Sequence, residues 1–163
     1  MPAHGKVWDL QGLVAEFDRH RKNKQRIVHC HGVFDLLHVG HVRYLEGARA
    51  EGDFLVVAVN GDRSVRVLKG EGRPLLPAGA RAELVAALAA VDLVVIFDEE
   101  TVATIIEALS PDLHCKGTDY TEASVPERED MRRVGGATRI VGDPKDHSTR
   151  DLIGRVLERF GAT

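Results

Sequence analysis

The sequence predicts an α/β chain built on one open, doubly wound, five-stranded parallel sheet. Three observations carry this. Five short runs read as strands, and a segment with helical spacing follows each of them. The second run, "DFLVVAVNGD", is apolar almost throughout, as a strand covered on both faces requires. With 163 residues, 44% hydrophobic and 29% charged, the chain has material for one core and not for two.

Residues 1–25 are expected to form a leading helical segment with Leu10, Leu13, Val14 and Phe17 turned inward; residues 26–163 form the main unit. "RIVHCHG" (26–32) is strand 1, ended by glycine. "HVGHVRYLEGARAEG" follows as a helix, with Val42, Leu45 and Ala48 at helical spacing and Gly52 as its stop. "DFLVVAVNGD" is strand 2, and a helix leads from it to Lys69. "PAGARAELVAALAAV" is an alanine-rich helix with Leu84, Val85 and Leu88 on one stripe. "DLVVIFDE" is strand 3, and "TVATIIEALSP" is a helix opened by Thr101 and closed before Pro111. "DLHCKG" is strand 4. "VPEREDMRRVGG" is a charged helix, with Pro126 near its first turn and Gly135 and Gly136 at its end. "ATRIVGDP" is strand 5. "STRDLIGRVLERFG" is the last helix, capped by Ser148 or Thr149, with Leu152, Ile153, Val156, Leu157 and Phe160 as its apolar face. The whole is an architecture of the Rossmann-like class, in a single domain.

Composition excludes several classes. A formal charge of −3 gives no global attraction to nucleic acid or anionic membrane. The basic run "RHRKNKQR" (19–26) is short and reads as a solvated helix end favoured by the helix dipole. No apolar run approaches the ~20 residues of a membrane helix. The start, "MPAHGKVWDL", lacks a basic-then-apolar leader, so a cytoplasmic location is expected. Cys30 and Cys115 make no disulfide framework. The tripeptide "HCH" invites a zinc reading, but in a strand His29 and His31 face one side and Cys30 the other, so these three do not converge on one ion.

In doubly wound sheets ligands bind beyond the carboxyl ends of the strands. That rule selects segments 31–41, 59–73, 115–120 and 142–150. In the first, His38 and His41 share one face of the opening turn of a helix. A helix start offers unpaired N–H groups and the positive end of the macrodipole, and Gly40 lets a phosphate approach the backbone. Two imidazoles there suit the charge that builds on phosphorus and on a phosphate leaving group. Lys69 and Arg73, around Gly70 and Gly72, have the charge and spacing to clamp phosphates. Ser148 and Thr149 supply hydroxyls at a second helix start, where simple capping also accounts for them.

The stretch "GVFDLLHVGHVRYLEGA" resembles the signature of the cytidylyltransferase-like nucleotidyltransferases, G-x-F-D-x-x-H-x-G-H. Within that superfamily, "VNGDRSVRVLKGEGRP", "ALAAVDLVVIFDEET", "SPDLHCKGTDY" and "DHSTRDLI" are most similar to the heptose 1-phosphate adenylyltransferases in their stand-alone form. The resemblance implies transfer of AMP from ATP to a sugar 1-phosphate with release of pyrophosphate, and Mg²⁺ as cofactor. It implies catalytic roles for His38, His41 and Lys69. It implies nucleotide binding at Gly32, Val33, Phe34, Gly40, Asp119, Ser148 and Thr149, and substrate-phosphate binding at Asn60, Arg73 and Lys116. Asp35 is expected either to brace its loop by accepting backbone N–H bonds or to help hold Mg²⁺. A homodimer is expected by analogy, with neither nucleic acid nor membrane as partner. Glycerol-3-phosphate cytidylyltransferase and FAD synthetase share the first motif and stay open as alternatives, as does a nucleotide-binding sensor without turnover. A tRNA synthetase fragment shares the H-x-G-H turn, but there is no lysine-serine-lysine loop. Thr118 and Arg150 stand where the family pattern has a glycine and a threonine.

Overall fold

A computed structural model describes residues 1–161. The last two positions of the expected 26–163 unit lie outside the described residues. Among those described, five strands make one parallel sheet: β1 (Ile27–Gly32), β2 (Phe54–Asn60), β3 (Leu93–Phe97), β4 (Leu113–Lys116) and β5 (Ala137–Ile140). Their order is β3-β2-β1-β4-β5, so the winding reverses between β1 and β4. Seven α-helices accompany them: α1 (Leu10–Lys22), α2 (Val39–Ala50), α3 (Asp62–Lys69), α4 (Ala78–Ala86), α5 (Ala103–Leu109), α6 (Arg128–Arg133) and α7 (Thr149–Phe160). The expected class, strand count and sheet direction all hold.

Strand periodicity divides the core in two. Val28 and Cys30 of β1 face α2 and α4, packing with Leu45, Ala48, Val85 and Ala86. Ile27 faces the opposite layer with Leu13 and Phe17 of α1 and Ile105 and Ile106 of α5. β2 is buried along its whole length, which explains its unbroken apolar run. The leading segment belongs to the same core: Leu13 and Phe17 are fully buried, and Leu10 and Val14 pack beside them.

Two helix faces differ from expectation. In α4 the buried stripe is Arg81, Ala82, Val85 and Ala86, while Leu84 is exposed. The helix is rotated because Arg81 must point inward, for reasons given below. In α7 no residue is buried, and Val156, Leu157 and Phe160 of the predicted inward face are exposed. The amphipathic stripe exists, but the sheet is already covered by other helices.

α7 is placed by a close approach. Gly142 (φ +89°) lies against the backbone of Tyr44, and a Cβ on Gly47 would come within 3.0 Å of the Gly142 nitrogen. These two glycines let the segment after β5 cross α2 closely, which brings the start of α7 beside the start of α2.

Candidate active site

The loop from β1 to α2 is tightly braced. Phe34 and Leu36 both adopt positive φ, 50° and 56°, which costs side-chain-bearing residues energy. Asp35 sits between them with its side chain fully buried. Its carboxylate accepts from Arg73 Nε (2.9 Å), the Leu75 amide (2.8 Å) and the Leu76 amide (3.1 Å). Of the two roles open to Asp35, the structure shows the brace. Both oxygens are committed, so this carboxylate does not fit a Mg²⁺ ligand.

Both histidines of the motif are helix caps. His38 is the N-cap of α2, and its Nδ1 accepts the Gly40 amide at 3.2 Å. His41 Nδ1 accepts the His38 amide at 3.2 Å, closing a reciprocal capping box. A backbone N–H can only donate, so both Nδ1 atoms carry lone pairs. In the neutral rings the proton is therefore on Nε2. The rings stack with centroids 3.9 Å apart. Gly40 is needed here: a Cβ would lie 3.0 Å from the His38 ring. Burial, then the nearby charges of His38 and Lys145, push His41 down to about 4. Burial, His147 and Lys145 also lower His38, against an opposing pull from Asp151. At neutral pH the pair thus presents Nε2–H donors as neutral imidazoles.

The second helix start meets the first. Thr149 Oγ1 donates to the Asp35 carbonyl at 2.7 Å, and Ser148 Oγ caps α7 by accepting the Asp151 amide at 3.1 Å. The His147 ring lies 6.5 Å from that of His38. Lys145 pairs with Asp119, and Thr118 Oγ1 donates to the Asp143 carbonyl at 2.8 Å. Loop 117–120 is thereby fastened to the approach to α7. Lys145 and His147 escaped the sequence reading; their signal was position, three residues and one residue ahead of a helix cap.

Arg81 is a hub. Its fully buried guanidinium donates to the carbonyls of Leu76, Val33 and Asn60 and to Asp62 Oδ1, at 2.6–2.9 Å. It fixes three crevice loops and is not available to a ligand. The remaining candidates divide. Gly32 ends β1 with its Cα under the Phe34 ring, and Phe34 is buried against His41. The buried Asn60 side chain turns toward Ser64 (3.4 Å). Arg73 lines a cleft of about 380 Å³ with Asp62, Arg66 and Gly72. Lys69 ends α3 with an exposed side chain. Lys116 ends β4 at the switch point, with Nζ 3.4 Å from His31 Nε2. A larger depression, about 480 Å³, lies at the amino ends of the strands between Arg26, Asp112 and Ala137, the wrong end of the sheet for a ligand of this fold. The basic run is occupied elsewhere: Arg21 donates to the carbonyls of Leu109 and Ser110 at the end of α5.

A family model described as cytidylyltransferase-like matches residues 29–153, spanning all five strands and both helix starts. The chain belongs to the cytidylyltransferase-like family. It is 49% identical over 151 residues to a protein named bifunctional protein HldE from Koribacter versatilis, and 42% identical over 156 residues to one of the same name from Geobacter metallireducens. These alignments cover 93% and 96% of the chain but 31% and 32% of the relatives, so the chain spans about a third of their length. A crystal structure titled as the lipopolysaccharide core biosynthesis protein from Thermoplasma volcanium superposes with a TM-score of 0.63 at 30% identity, covering 75% of this chain and 99% of that one. The sheet order and the capped H-x-G-H turn are thus features of a cytidylyltransferase-like domain. Among the described residues no helix is long and apolar enough to cross a membrane.

Proposed function

We propose that this chain transfers AMP from ATP to a sugar 1-phosphate, a heptose 1-phosphate in the first instance, releasing pyrophosphate. The observation that carries the reading is the pair of imidazoles whose Nδ1 atoms are spent on caps. Their Nε2–H groups are left as fixed donors between two helix starts, a setting suited to phosphate. The acceptor phosphate oxygen attacks the α-phosphorus in line. His38 and His41 donate to oxygens on the transferring and leaving phosphates, where negative charge grows. Lys69 adds a cation, and Arg73 and Lys116 bind the acceptor phosphate. Ser148, Thr149 and the amides at the start of α7 position the triphosphate. No protein nucleophile is required; positioning and electrostatics supply the rate.

Mg²⁺ belongs to this reading as an ion carried by the triphosphate, where it neutralises phosphate charge. The relatives' shared name supports the sugar-phosphate branch, as do "LKGEGRP" and "KGTDY". The reading implies a cytoplasmic enzyme, since ATP is its substrate. A homodimer is proposed by analogy, with the exposed apolar stripe of α7 as a surface for it; sedimentation equilibrium on wild type and on Leu157→Glu tests this. The function is tested by a pyrophosphate-release screen of ATP, CTP and GTP against heptose 1-phosphates, other sugar 1-phosphates and glycerol 3-phosphate. ATP with a heptose 1-phosphate is the expected productive pair. Faster turnover of CTP with glycerol 3-phosphate would move the chain to another branch, and binding without pyrophosphate release would make it a sensor.

A further inference from the structure

A second cluster of chemistry-bearing side chains lies at the same switch point, on the opposite face of the sheet from α2. β1 turns His29 and His31 toward the layer of α1, α5 and α6; β4 turns His114 and Lys116 the same way. The His29 and His31 rings stack on that of His114 at 5.0 and 5.2 Å between centroids. Glu127, just ahead of α6, reaches toward them.

Four polar atoms in this cluster are hidden from water and have no hydrogen-bond partner among the described residues: His29 Nε2, His31 Nδ1, His114 Nε2 and Glu127 Oε2. Each such atom ordinarily costs about 1–3 kcal/mol, so four together call for an explanation. Donor atoms of His31, His114 and Glu127 all lie within 4.8 Å of one another. His31 Nε2 is 3.4 Å from Glu127 Oε1, and His114 Nε2 is 3.6 Å from Glu127 Oε2. These separations are long for hydrogen bonds. They are close to the roughly 3.4 Å edge of a tetrahedron whose corners stand ~2.0–2.1 Å from a central zinc.

We propose that His31, His114 and Glu127 form a binding site for a transition-metal dication of the zinc class. Two imidazole nitrogens and one carboxylate suit such an ion; Mg²⁺ prefers oxygen ligands. The site is therefore distinct from any Mg²⁺ carried on a triphosphate, and the inference does not rest on the proposed activity. His29 supplies the outer support. With His114 Nε2 on the ion, its Nδ1–H donates to His29 Nδ1 at 2.9 Å, the arrangement that orients metal-bound histidines. Three protein ligands leave a fourth position. His31 and Glu127 keep 13% and 14% side-chain exposure where His114 has none, so that position opens on their side. Lys116 Nζ, 3.4 Å from His31 Nε2 and 3.6 Å from Glu127 Oε2, competes for the same electron pairs. The face of Tyr120, 4.9 Å from Nζ, is an alternative seat for the ammonium when the ion binds.

The test uses the full chain, stripped with chelator and titrated with Co²⁺ and then Zn²⁺. One equivalent of Co²⁺ should give the visible d–d bands of a tetrahedral site, and Zn²⁺ should displace it. Glu127→Gln and His31→Ala should abolish those bands, with melting curves confirming that each variant is folded. His147→Ala, which alters the partly exposed Asp146–His147 pair, should retain them. Wild-type protein without visible bands overturns the site, as do bands that survive in folded Glu127→Gln. If both substitutions unfold the chain, the wild-type titration alone decides: a stoichiometric tetrahedral band supports the site and its absence refutes it.

Discussion

His41 has two jobs on its two ring nitrogens, and they separate in experiment. His41→Ala removes Nδ1, the acceptor for the His38 amide, and Nε2–H, the donor aimed into the crevice. The first loss is that of a helix cap, worth about 0.5–2 kcal/mol. For a chain of this size that lowers Tm by about 2–6 °C. The second loss removes a transition-state hydrogen bond, worth about 2–4 kcal/mol or 10²–10³ in kcat. His41→Gln separates the two. Glutamine at the third helical position reaches back to the cap amide, so stability should return toward wild type. It puts no N–H where Nε2–H was held, so kcat should stay low. Thermal unfolding and pyrophosphate release on the same preparations decide the matter. If His41→Ala kept near-normal turnover with a large fall in Tm, the ring would be purely structural. If His41→Gln restored both quantities, the Nε2–H donor would carry no catalysis.

Three further outcomes are expected. Lys69→Ala should lower kcat about 10²-fold or more with an unchanged circular-dichroism spectrum, because its exposed side chain supports no fold contact; unchanged kcat returns it to a solvated loop. Arg81→Met should destabilise by about 3–5 kcal/mol in urea titration, since three carbonyls and Asp62 lose their shared donor; a loss under about 1 kcal/mol would show that the crevice loops do not depend on it. Stability should fall as pH drops from about 6.5 toward 4. In that window the unfolded chain protonates His41 while the fold resists, its folded value being about 4 against an ordinary 6.5. The ceiling is about 3 kcal/mol, reduced by partial wetting of the ring, and His41→Gln should flatten that part of the urea-midpoint profile.

The sheet was legible because strand runs and helix spacing are local signals. The H-x-G-H turn was legible because its meaning depends on one strand end and one helix start. Contacts between loops were not. Nothing in "GVFD" says that Asp35 binds amides 40 residues away, nor does "GARAEL" say that its arginine points inward and turns the helix with it. Periodicity named the residues that share a face of α7, but not whether any surface remained to cover that face. The "HCH" argument failed in a similar way. His29, Cys30 and His31 do not converge, as strand geometry requires. His31 instead meets His114, whose strand neighbours β1 only because the winding reverses there. Sequence spacing constrains residues on one element; it is silent about which elements the topology makes adjacent.

The braces explain how the crevice holds donors at fixed positions without a ligand. Two left-handed residues, Phe34 and Leu36, carry about 1–3 kcal/mol of backbone strain each. That strain gives the chain the sharp turn that delivers His38 to the start of α2. Left alone, the loop would relax. Three hydrogen bonds into Asp35, one from Thr149 and one from Arg81 to the Val33 carbonyl hold it from three directions. Each bond is worth about 1 kcal/mol, more where a charge takes part, so together they offset the strain. The same bonds tie the loop to residues 73–76, to α4 and to α7, the elements that carry the phosphate-binding candidates. Loosening any one of them shifts several donors together. Variants at Asp35 or Arg81 should therefore lose activity through misplaced donors, although neither side chain faces the crevice.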